Sequence, residues 1–133
     1  MIVGIGIDTV HLPDFRELLS DEASHFRAAT FSADELAYAQ RGATGDPTVH
    51  LAVRYAAKEA TIKALDVALA AAGRRVPAVQ PADVVVERDP AGRPSLKLLG
   101  TVAELAYQLG VQRQWVSLSH DGPTATAVVV LEG

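Results

Sequence analysis

The 133-residue chain contains no cysteine. That excludes a disulfide framework and thiolate chemistry, and it suits a reducing compartment, so a cytoplasmic location is expected. Basic residues are also in short supply, 12 against 16 acidic ones, for a formal charge of −4. Nucleic acid is therefore not expected as the main partner, because such binding rests on a basic surface. A phosphate ligand needs only one or two local cations and is not excluded. No apolar run is long enough to cross a bilayer, so no membrane partner is expected. Met1 to Val10 lack a basic segment and a cleavage site and do not read as a signal peptide. Internal repeats and low-complexity linkers are absent. Arg41–Pro47 and Gly73–Pro81 read as loops too short to divide the chain, so one domain over residues 1–133 is expected.

What is present describes a folded globule: 49% hydrophobic and 21% charged residues. A chain this short buries a modest core, and an oligomer would help it. Ile2 to Val10 reads as a strand with Val3, Ile5 and Ile7 on one face and Gly4, Gly6 and Asp8 on the other. The glycine face is nearly bare, so another backbone or a ligand can lie close to it. Pro13 and Asp14 open a short helix through Phe15, Leu18 and Leu19. Ser32 and Glu35 form a capping box, with Phe31 and Leu36 as its staple, ahead of a helix from Ala33 to about Gln40. Thr48 to Ala72 is rich in Ala and Leu and free of Gly and Pro, which predicts a long, central, largely buried helix. Leu51, Tyr55, Ile62, Leu65 and Leu69 repeat along it at helical spacing. Strands follow over Asp83–Arg88 and Ser95–Leu99, joined by the turn Asp89–Pro94. A helix over Thr101–Leu109 leads to strands over Gln114–Ser119 and Thr124–Leu131. In the first of these, Trp115, Ser117 and Ser119 share one face. Adjacent strands with short turns imply an antiparallel sheet, and segregated helices make the class α+β.

Three groups of residues could carry chemistry. Asp8 ends its strand on the glycine side, where it either caps the next turn or serves as a metal or phosphate-site carboxylate. Gly-x-Gly-x-Asp is no dinucleotide fingerprint, since the third glycine and its helix are missing. Glu59, Lys63 and Asp66 form one stripe of the long helix. On an exposed helix such a stripe is usually an ion pair worth roughly 0.2–0.5 kcal/mol. On a buried helix the charges need partners, which a hard cation or a phosphate supplies. Arg54 and Lys58 extend this cluster toward the helix start. Third, Ser117-Leu118-Ser119-His120-Asp121 ends a strand in polar groups. A lone histidine is more often structural, and no nucleophile elbow supports a hydrolase triad.

Gly4-Ile5-Gly6-Ile7-Asp8, Arg54-Tyr55-Ala56-Ala57-Lys58-Glu59-Ala60 with Lys63, and Val116-Ser117-Leu118-Ser119-His120 stand in this order along the chain. Together they resemble the short, holo-acyl-carrier-protein synthase type of 4′-phosphopantetheinyl transferase, over almost the whole length. Gly92-Arg93-Pro94 is similar to that family's turn before a strand. The resemblance implies the 4′-phosphopantetheinyl transferase fold, an antiparallel sheet with a long central helix, assembled as a homotrimer with active sites between protomers. It implies Mg²⁺ held by Asp8 and Glu59, Lys63 at the pyrophosphate of coenzyme A, and Arg54, His120, Gly92 and Pro94 on the nucleotide side. The partner it implies is an apo acyl carrier protein, whose serine attacks the β-phosphorus while adenosine 3′,5′-bisphosphate leaves. Such transfer needs mainly positioning and charge neutralisation. Among candidate general bases, Glu59 acting through a metal-bound water is preferred.

One departure from the pattern concerns docking. Members of the family commonly carry a basic residue where this chain has Asp14, and His11 replaces a frequent acidic residue. Arg16, Arg27 and Arg41 are the cations left to meet an acidic carrier. Two other functions stay open at this stage, an Mg²⁺-dependent nucleotide phosphohydrolase and a non-enzymatic coenzyme A-binding module.

Overall fold

The computed structural model describes residues 1–42 and 45–133. Part of the expected Arg41–Pro47 loop, Ala43 and Thr44, therefore lies outside the described residues. The chain runs β1 (Ile2–His11), α1 (Leu12–Ser20), α2 (Phe26–Thr30), α3 (Ala33–Ala37), a π-helical turn (Tyr38–Gly42) and α4 (Pro47–Ala70). A 3₁₀ turn (Pro81–Asp83), β2 (Val84–Arg88), β3 (Pro94–Leu98), α5 (Gly100–Gln108), β4 (Arg113–Asp121) and β5 (Thr124–Glu132) complete it. The class is α+β, as the sequence predicts. The strands form two antiparallel sheets, β1-β5-β4 and the hairpin β2-β3.

Helix α4 organises the molecule. Asp46 caps its start by accepting from Thr48 N at 2.9 Å, with Pro47 in the first turn. Ala52, Ala56, Ala60, Ala64 and Ala68 are all buried. Their i, i+4 spacing makes one smooth ridge of methyl groups, and β1 lies directly on it. The expected bare face of β1 is what allows the approach. A Cβ on Gly6 would sit 1.9 Å from the Ala60 carbonyl oxygen, and one on Gly4 would sit 2.2 Å from that of Ala64. The glycine face of β1 is thus the core face, and the isoleucine face points outward.

The other contacts of α4 build the core. Leu51, Leu65 and Leu69 are buried with Val84, Val102, Val129 and Leu131. Phe15, Phe26, Phe31 and Tyr55 pack edge-to-face or stacked, with centroids 5.4–6.4 Å apart. Helix α2, which contributes Phe26, was not anticipated. Five residues are too few to display a helical period, and its cap residue His25 makes no side-chain cap bond.

Candidate active site

The capping box at Ser32 forms as expected: Glu35 N donates to Ser32 Oγ at 3.1 Å, and Ser32 N donates to Glu35 Oε1 at 2.9 Å. The Glu35 carboxylate then reaches further. It accepts from Lys58 Nζ at 2.8 Å and from Val86 N at 3.1 Å. Lys58 is fully buried and also donates to the carbonyls of Pro81 and Val84. This corrects the expectation that Lys58 extends a cluster with Glu59. One residue apart on a helix means about 100° of rotation, so Lys58 faces β2 and the 3₁₀ turn while Glu59 faces β1. Lys58 and Glu35 are the bolt that joins α3, α4 and β2.

Asp66 also leaves the stripe. Its carboxylate accepts from Val76 N at 3.0 Å and ties down the chain after α4. The two remaining members do meet Asp8. Lys63 Nζ lies 2.9 Å from Asp8 Oδ1 and 3.1 Å from the Ile7 carbonyl oxygen. A cleft of about 320 Å³ between β1, α1 and α4 is lined by Asp8, Thr9, Val10, His11, Asp14, Phe15, Leu18, Tyr55 and Glu59. Burial and then the Asp8 carboxylate push Glu59 above the ordinary glutamate range, while Lys63 pulls it back. Tyr55, one turn before Glu59, has its phenol pushed up by burial and by the same two carboxylates. The helical repeat marks Tyr55 as a core residue. It is half-buried instead, with its ring on Phe15 and its edge in the cleft. A spacing of four from Glu59 was the signal that could have found it.

The remaining candidates lie elsewhere and do not share one cleft: His120 lines one and Arg54 a different one. A second cleft of about 250 Å³ is lined by Gly45, Asp46, Val49, His50, Val53, Arg88, Leu118, Ser119 and His120. Arg88, which no motif singled out, reaches it from the end of β2. Gly92, at φ +82°, makes the hairpin turn and accepts from Arg88 Nη1 at 2.8 Å, and Pro94 starts β3. Arg54 is only 2% exposed, its Nη1 donating to the His50 carbonyl oxygen at 2.9 Å. The two clefts lie at opposite edges of the β1-β5-β4 sheet, with α4 packed on the sheet between them.

Of the docking candidates, Arg16 is paired with Asp46 at 2.7 Å and Arg27 donates to the Leu19 carbonyl oxygen at 2.9 Å. Asp14 lies 3.1 Å from His11 Nδ1.

An α+β unit that sets two carboxylates and an ammonium at a strand end, with Arg88 and His120 in a cleft at the far edge of the sheet, offers the charges that a phosphate ester and a cation would meet. Residues 4–129 match the family described as ACPS, 4′-phosphopantetheinyl transferase superfamily, and the chain belongs to that family. It is 40% identical over 136 residues to a holo-[acyl-carrier-protein] synthase of Anaeromyxobacter dehalogenans, covering 100% of this chain and 98% of the relative. It is 40% identical over 131 residues to the one of Mycobacterium tuberculosis, covering 98% and 97% of the two chains. Among solved structures, the Chronobacterium ammoniagenes ACPS–CoA complex superposes with a TM-score of 0.81 at 40% identity, covering 97% of this chain and 96% of that one.

Proposed function

We infer that this protein is a holo-acyl-carrier-protein synthase. It moves 4′-phosphopantetheine from coenzyme A to a serine of an apo acyl carrier protein and releases adenosine 3′,5′-bisphosphate. The observation that carries this reading is the convergence of Asp8 and Glu59 on one cleft, with Lys63 paired to Asp8, in a chain related over its full length to synthases of that name.

The donor set fits Mg²⁺. Asp8 and Glu59 offer hard oxygens in a half-buried cleft, and each charge is unfavourable for the other without a cation. Two carboxylates suffice, because Mg²⁺ usually keeps its other positions for water and phosphate oxygens. Bound there, it would supply charge neutralisation on the pyrophosphate. The chain's own residues do the rest. Lys63, already at the cleft through Asp8, brings a compact ammonium to the leaving phosphate. The serine oxygen forms a bond to the β-phosphorus, and the bond from that phosphorus to the bridging oxygen breaks. The serine proton goes to the Glu59 carboxylate, the acceptor that lines the cleft beside Asp8. The bridging oxygen leaves on adenosine 3′,5′-bisphosphate.

The same geometry supports an assembly. The residues read as the metal half and those read as the nucleotide half line separate clefts at opposite edges of one sheet, which supports a site shared between subunits. The outward face of that sheet carries an apolar patch: Ile5, Val130 and Trp115 lie in one cross-strand row, and Ile7 and Val128 in the next, which Ser117 completes. Ile5, Ile7 and Trp115 are 54%, 61% and 52% exposed. Such a patch marks a contact surface. A homotrimer that covers it and brings one copy's His120 edge to the next copy's Asp8 edge completes each site. The enzyme works in the cytoplasm, where coenzyme A and carrier protein meet, and none of its described helices is long and apolar enough to cross a membrane.

The test is intact-mass measurement of an apo carrier protein incubated with the enzyme, coenzyme A and Mg²⁺. The expected result is a single phosphopantetheine added per carrier, abolished by chelator. Nucleotide release without carrier would identify a phosphohydrolase, and neither event would leave a binding module.

A further inference from the structure

Helix α4 presents three polar side chains in one file: Tyr55, Glu59 and Lys63. They stand four residues apart, so each step rises about 6 Å and turns about 40°. Lys63 is held at one end by Asp8 Oδ1 and the Ile7 carbonyl oxygen. Glu59 is the middle member. Tyr55 is the far one, and it lines the same cleft as Asp8 and Glu59.

The ring of Tyr55 has a packing role. It stacks on Phe15 at 5.5 Å and 28° and meets the edge of Phe26 at 5.4 Å and 72°. A phenylalanine would make both contacts. The hydroxyl is not accounted for in this way, and among the described residues none accepts a hydrogen bond from it. Burial and then the charges of Glu59 and Asp8 raise its pKa. A phenol titrates near 10 in water, so at neutral pH it is a donor in any case. Phenols withdrawn from water usually have a partner. Within the cleft, Asp8, Asp14 and Glu59 are acceptors, and the side-chain donors are Thr9, His11 and Tyr55. His11 is paired with Asp14 at 3.1 Å, and Thr9 alternates with Asp8 along β1. Tyr55 is the donor whose ring is clamped beside Glu59. A phosphoryl group brings acceptor oxygens to such a donor.

Resting on the reading of this protein as a phosphopantetheinyl transferase, we propose that Tyr55 is a further catalytic residue, its hydroxyl donating to a non-bridging oxygen of the β-phosphoryl group as that group passes to the carrier serine. The order of the file gives the direction. Lys63 serves the leaving phosphate and Glu59 takes the serine proton, so the member beyond Glu59 faces the group that is transferred. The phenol keeps its own proton throughout. The serine oxygen–phosphorus bond forms and the bond to the bridging oxygen breaks, as in the transfer described above. The hydroxyl adds a fixed dipole where charge is spread over phosphoryl oxygens. Phe15 and Phe26 hold the ring, so that dipole is in place before the attack.

Tyr55→Phe tests this, because it removes the hydroxyl and leaves the ring contacts. The readouts are the single-turnover rate of transfer at saturating coenzyme A and Mg²⁺, the Kd of coenzyme A by calorimetry, the Mg²⁺ concentration at half-maximal rate, and the melting curve. The variant should slow transfer by at least about tenfold, toward the 10²–10³ typical of a lost preorganised donor. The Kd and the Mg²⁺ midpoint should each stay within about threefold of wild type, and the melting temperature should not fall. A smaller loss of rate would return Tyr55 to the aromatic core and overturn the proposal. So would a larger shift in Kd or in the Mg²⁺ midpoint, since the hydroxyl would then bind the ground state or hold Glu59 in place. The intact-mass assay on wild type separates the two readings. No transfer at all removes the transferase reading and this role together, whereas transfer by wild type and an equally fast Tyr55→Phe removes this role alone.

Discussion

Lys63 separates two accounts of one side chain. Its side chain is 55% exposed and pairs with an Asp8 side chain that is 17% exposed. As an ion pair alone it is worth well under ~1 kcal/mol, because solvent screens it and ordering a long side chain costs entropy. As a preorganised charge on a breaking pyrophosphate it is worth far more. Lys63→Ala should lose about 10²–10³ in kcat while its melting temperature stays near wild type. Lys63→Arg should not restore full turnover, since a planar fork places its charge differently. A folded Lys63→Ala within about threefold of wild-type kcat would return the residue to a surface pair. The spacing offered a pair between Glu59 and Lys63 along the helix; the structure pairs Lys63 with Asp8 instead, a partner 55 residues away that spacing cannot name. The role of Lys58 was not legible either, because its carboxylate is 23 residues away in another helix, and periodicity carries no information about such partners. Arg88 was missed for the same reason: it lines a cleft with His120, which only the tertiary fold brings beside it.

At the scale of elements, the decisive contact is β1 against α4. Sequence pattern gave the strand, its two faces and the alanine-rich helix, and it allowed a backbone on the bare face. It could not say which backbone, since i, i+2 alternation describes a face without naming its neighbour. The boundaries shifted by a residue or two where turns rather than periods decide them, as at β4, expected over Gln114–Ser119 and found over Arg113–Asp121. The contact yields a prediction with a definite sign. On propensity alone, Gly6→Ala in a strand should gain roughly 0.5–1 kcal/mol. Packing demands the opposite. The new methyl would meet the Ala60 carbonyl oxygen at 1.9 Å, a backbone atom inside a helix with no side-chain freedom to yield. Denaturant unfolding should show a loss of at least about 1–3 kcal/mol, as for overpacked cores. A variant as stable as wild type would mean that β1 and α4 can separate without penalty.

At the scale of the whole molecule, the question is whether one subunit suffices. Asp8 and Glu59 line the cleft at the β1 edge, while His120 lines the one at the β4 edge. Strands are spaced about 4.8 Å apart, so the sheet sets the edges roughly 10 Å apart with α4 packed below. If each site takes its carboxylates from one copy and its histidine from the next, two damaged chains can repair each other. Glu59→Ala and His120→Ala homotrimers should each be severely impaired. Mixed at equal ratio and reassembled, they should form clefts in which an intact Glu59 faces an intact His120 at about one cleft in four by random association in a closed ring. Activity should then rise to about a quarter of wild type, and sedimentation should report trimers throughout. Ile7→Glu places a charge on the apolar patch of the sheet face, at its β1 edge, and should shift the protein toward monomer and lose activity with it. Mixtures no more active than their components, with subunit exchange verified by a mass label, would show that each site is built within one chain. An active Ile7→Glu monomer would lead to the same conclusion by a separate route, because it would need no neighbour to bring His120 to Asp8.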